Sequence, residues 1–69
     1  MAVHLTPDEI AVMLEAEPDA VVEAAQDVDV PVFQGRIDRV LLAEALGRAG
    51  HPLAPVARER LLRDGDVSG

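Results

Sequence analysis

The sequence has no cysteine, lysine, tryptophan or tyrosine, and one aromatic residue, Phe33. The missing cysteine excludes disulfides and thiolate chemistry and fits a reducing, cytoplasmic setting. Without cysteine, tyrosine or lysine, nucleophilic catalysis falls to Thr6 and Ser68, one at a helix start and one near the C-terminus. His4 and His51 lie far apart with no ligand spacing, so no metal site and no cofactor is expected. A single aromatic gives little to stack single-stranded bases on. Phe33 is expected in the core. No apolar run approaches the ~20 residues of a membrane span. Asp8 and Glu9 interrupt the start before a signal-peptide core develops. These absences point to a non-enzymatic binding module that avoids membranes.

The 69 residues suffice for one domain, expected over 1–63, with 64–69 as a flexible tail. Folding at this size buries only about 60% of the unfolded surface. The apolar share is 49%, but eleven alanines and ten valines make that core thin and aliphatic. A homodimer is therefore a candidate state, with Leu53, Ala57 and Leu61 as its stripe; the alternative is that they cover the end of the core.

Charge is unevenly placed. Residues 1–35 hold no basic residue and eight acids: Asp8, Glu9, Glu15, Glu17, Asp19, Glu23, Asp27 and Asp29. Residues 36–69 hold six arginines against five acids, a net of +1, and the whole chain carries -7. Such a dipole repels phosphate at its acidic front and attracts basic partners there.

Thr6-Pro7-Asp8-Glu9 is a capping box with proline at the first helical position, and Leu5 can staple to Ile10. The first helix is expected from Pro7 to Glu15, with Ile10, Met13 and Leu14 inward. Pro18 opens a second helix that runs to Asp27, with Val21, Ala25 and Val28 inward. Val30-Pro31-Val32-Phe33 is extended, and Gln34-Gly35 can turn it back into Arg36-Ile37 as a short hairpin. Asp38 is a good N-cap for a third helix to Ala49, carrying Val40, Leu41, Ala45 and Leu46 and stopped by Gly50. A fourth helix starts at Pro55, with Arg58, Arg60 and Arg63 displayed away from its apolar side. Asp64-Gly65-Asp66 resembles half of a calcium loop but lacks the closing acid, and is read as tail.

Leu5-Thr6-Pro7-Asp8-Glu9-Ile10-Ala11, Glu17-Pro18, Val21 and Val30-Pro31-Val32-Phe33-Gln34-Gly35-Arg36, followed by a helix with Leu42 and Leu46, form an ordered set. It resembles the excisionase and MerR-like small winged helix-turn-helix domains from Leu5 to Leu46. The resemblance implies a mainly α fold of three to four short helices with a small β-hairpin wing. It also implies DNA reading through the second helix and the wing, here Gln26, Arg36 and Arg39. Family members often carry Lys or Arg where this chain has Asp19 and Glu23, and carboxylates aimed at a groove oppose phosphate neutralisation.

Two main function classes follow. The first is a regulatory or accessory module whose acidic face, Glu15, Glu17, Asp19 and Glu23, docks a basic protein. The second is a DNA-binding regulator or recombination accessory factor using Gln26, Arg36 and Arg39. A structural subunit of a phage or other assembly is a third. Bland alternatives stand beside them: a solvated face for the acids, and a solvated pair for Arg36 and Arg39.

Overall fold

The computed structural model describes residues 3–62; the expected tail, the half calcium loop and Arg63 lie outside them. Four helices and a two-stranded antiparallel sheet follow in the order β1 (His4–Leu5), α1 (Pro7–Leu14), α2 (Pro18–Asp27), β2 (Ile37–Asp38), α3 (Arg39–Ala49) and α4 (Ala54–Leu61). His4 pairs with Asp38 and Leu5 with Ile37. The sheet therefore brings β1 to the start of α3.

Local chemistry accounts for most helix boundaries. The Glu9 amide donates to the Thr6 hydroxyl at 3.2 Å, and the Thr6 amide donates to the Glu9 carboxylate at 2.8 Å, completing the capping box. Asp38 caps α3 by accepting from the Leu41 amide at 3.0 Å. The first three helices end alike, on a left-handed residue: Glu15, Asp29 and Gly50 at φ 55°, 59° and 68°. In each, the next amide reaches back five residues: Ala16 to Ala11, Val30 to Ala25, and His51 to Leu46. Only Gly50 adopts this conformation without a side-chain penalty.

The core gathers Leu5, Ile10, Leu14, Val21, Val30, Ile37, Leu42, Leu46 and Leu61 with buried alanines from all four helices. Leu5 and Ile10 share it, as the staple requires. Helix α1 packs on α2 and on α4, and α3 packs on α4.

Three expectations are corrected. Helix α3 buries Leu42, Ala43, Ala45 and Leu46, while Leu41 is exposed and Val40 half-buried. Its inward stripe is 39, 42, 43 and 46, at spacings of three and four, and Arg39 holds the first place. Read by hydrophobicity, the stripe shifts to Val40 and Leu41. Phe33 is 69% exposed and outside the core. Its amide and carbonyl bond those of Arg36 around a tight turn in which Gln34 and Gly35 both have positive φ. Val30 and Ile37 fill the core on either side, so the segment between them projects. The hairpin expected from Val30 to Ile37 is thus that turn with one Phe33–Arg36 bridge, and Ile37 pairs instead with Leu5.

Arg39 is the third correction and the largest. It is 0% exposed, the one charged residue in the buried set, and its guanidinium donates to the Leu61 carbonyl. Its amide donates to the Val3 carbonyl at 2.9 Å. One residue therefore ties β1 and the last carbonyl of α4 to the start of α3. A cation at a helix C-terminus also meets the negative end of the helix dipole.

Arg39→Ala is expected to cost about 3 kcal/mol, from the cavity and the orphaned Leu61 carbonyl. Arg39→Met, which keeps most of the volume, should cost less; urea unfolding compares the two. The Thr6 hydrogen bonds, backbone first, hold the Glu9 carboxyl below its ordinary value, and Arg36 lowers it further. Because the folded pKa lies below the unfolded one, this contribution is complete above the unfolded value. It is lost as pH falls through the folded value. Thr6→Val should destabilise by about 1 kcal/mol at neutral pH, with the gap to the parent narrowing in acid.

Candidate functional site

The acidic residues singled out in the sequence separate into two groups. Glu15, just past α1, pairs with Arg60 of α4, its carboxylate 3.2 Å from the guanidinium. The same guanidinium donates to the Met13 carbonyl at 3.2 Å. Arg60 thus closes the C-terminal end of α1, a helix with no basic residue in its own last turn. Glu17, Asp19 and Glu23 form the second group. Glu17 occupies the N-cap of α2 without bonding a helix amide, so its side chain stays in solvent. Asp19 and Glu23 stand four apart on α2, both exposed, and neither has an ion-pair partner among the described residues. Val22 between them is half-buried and Gln26, a turn further on, is exposed. Farther along α2, Asp27 lies 3.6 Å from His51, whose other ring nitrogen accepts from the Leu53 amide.

The described arginines do not converge on one patch. Arg39 is inside the core and cannot reach a phosphate. Arg60 is held against α1. Arg36 is exposed on the tight turn, close enough to Glu9 to lower its pKa. That leaves Arg48 and Arg58 exposed, and they line one open groove between α3 and α4. Of the DNA-reading set, Gln26 and Arg36 remain accessible.

Leu53, Ala57 and Leu61 take the second of their two expected roles. Ala57 and Leu61 are 0% exposed and Leu53 packs half-buried against the core, so the stripe covers the end of the domain itself. The exposed apolar side chains are others: Val12, Phe33, Val32, Leu41, Val3 and Leu62. Sequence reasoning missed Phe33 and Leu62 as surface residues. The Gln34-Gly35 turn signal beside Phe33 was the one local hint.

No group of three or more potential metal ligands occurs among the described residues. The Thr6 hydroxyl accepts from the Glu9 amide and donates to the Glu9 carboxylate at 3.1 Å, so it is engaged in capping. No helix among the described residues is long and apolar enough to cross a membrane. Comparison with protein-family models, with curated proteins and with solved structures gave no match.

The Arg60 contacts have a measurable worth. Arg60→Gln should cost about 1 kcal/mol, kept small by partial exposure and solvent screening. The loss should shrink in high salt, because part of it is the ion pair with Glu15. Thermal unfolding at two ionic strengths checks both points.

Proposed function

We propose that this chain is a small non-catalytic regulatory or accessory module. It docks a basic protein surface through the exposed acidic face of α2, formed by Glu17, Asp19 and Glu23. The single observation that carries this reading is the Asp19–Glu23 pair. Like charges four apart on a helix destabilise it by about 0.2–0.5 kcal/mol, and no cation among the described residues relieves them. An arginine- or lysine-bearing partner would relieve them and would be steered to the face by the -7 net charge. Glu15 lies at the edge of this face and serves mainly to hold Arg60. The scaffold is read as a winged helix-turn-helix type whose second helix has exchanged basic residues for acids.

DNA reading through Gln26, Arg36 and Arg39 is the weaker alternative, because burial removes Arg39 from it. Assembly through Leu53, Ala57 and Leu61 loses support in the same way.

The test is fluorescence anisotropy of the full chain with two labelled probes at low and moderate salt: an arginine/lysine-rich peptide and a mixed-sequence DNA duplex. The peptide should bind, weaken with salt, and lose on the order of tenfold in affinity with Glu23→Arg. DNA should show no binding even at low salt. Salt-sensitive DNA binding, abolished by Arg36→Glu, would overturn the proposal.

A further inference from the structure

The groove between α3 and α4 gathers two arginines and one carboxylate. It is open, about 540 Å³, and is lined by Ala43, Glu44, Gly47, Arg48, Arg58 and Leu62. Arg48 and Arg58 approach it from different helices, and neither has an ion-pair partner among the described residues. Against the single carboxylate of Glu44 they make a locally positive site on a chain of net charge -7. Leu62, 37% exposed, adds an apolar edge.

Gly47 carries the argument further. It lies inside α3, where glycine costs about 1 kcal/mol relative to alanine. Its φ is not in the left-handed region, and an added Cβ would meet nothing within 4 Å. Nothing in the packing of this chain therefore calls for glycine there. A bare backbone beside two arginines lets another chain approach closely.

We infer that this groove is a second docking site, for an acidic amphipathic helix of a partner protein. Carboxylates of the helix would engage Arg48 and Arg58, and its aliphatic side chains would lie over Gly47 and Leu62. Charge complementarity selects the occupant, and the Glu44 carboxylate in the lining, with exposed Leu62, favours a peptide over nucleic acid. The site is separate from the acidic face of α2 and does not depend on that reading.

The test is titration of the 15N-labelled full chain with three probes, reading amide shifts. The probes are a synthetic helical peptide of Glu, Leu and Ala, the same peptide with Lys for Glu, and a DNA duplex. The acidic peptide should shift amides around Gly47, Arg48, Arg58 and Leu62. Affinity should fall on the order of tenfold in Arg48→Glu and Arg58→Glu. Gly47→Leu should block binding, while Glu23→Arg leaves it unchanged. Gly47→Ala serves as the folding control and should raise the melting temperature by a few degrees. The inference is overturned if the acidic peptide leaves these amides unmoved. It is equally overturned if the lysine peptide or the duplex shifts them as strongly, or if Arg48→Glu and Arg58→Glu bind as well as the parent.

Discussion

A buried guanidinium organises this domain. Removing a charge from water is costly unless it is hydrogen-bonded, and Arg39 meets that condition by donating to the last carbonyl of α4. The contact sets three things together. It turns the 39, 42, 43 and 46 stripe of α3 toward the core, it seats the end of α4, and the Arg39 amide anchors β1 through Val3. A core of alanine, valine, leucine and isoleucine with no buried aromatic has little shape of its own to enforce such an arrangement. The polar contact supplies direction that aliphatic packing alone lacks.

The helices answer one another's ends more generally. Helices α1 and α2 carry no basic residue in their last turns, and acids crowd the front of the chain. Arg60 crosses from α4 to the carbonyl of Met13, and His51 lies against Asp27 at the end of α2. Two arginines of the second half, Arg60 and Arg39, thus compensate the C-termini of α1 and α4. The asymmetry of charge along the sequence becomes, after folding, a set of contacts between the halves. Arg36, Arg48 and Arg58 remain outside these contacts, the last two in one groove.

The legible parts of the fold were those with local causes. Thr6 and Glu9, Pro18, Asp38 and Gly50 each act on neighbours within a turn, so they marked α1, α2 and α3 almost to the residue. The mainly helical class followed from them. Arg39 was misread because its fate depends on a partner far along the chain, and Phe33 because an adjacent turn outweighs its hydrophobicity. A charged residue in an inward stripe makes the hydrophobic pattern look shifted by one, and only Leu61 explains it. Phe33 is the most hydrophobic candidate in its segment, yet a turn with two positive-φ residues holds it outside. At the candidate site, the acids of α2 were legible because a helix displays its polar face regularly. The division of the arginines was not, since Arg36, Arg39, Arg48, Arg58 and Arg60 look alike until tertiary contacts sort them.

The hydrogen bonds of Arg39 have a topological consequence. Its amide holds the carbonyl of Val3 and its side chain holds the carbonyl of Leu61, so the first and last described residues but one converge within the span of one arginine. Cut to its described residues, 3–62, the domain has ends that meet at one point and can be joined by a short linker without deforming it. The fold is therefore suited to circular permutation, with new ends opened in the projecting loop around Gln34. For the same reason it can be inserted whole into a surface loop of another protein.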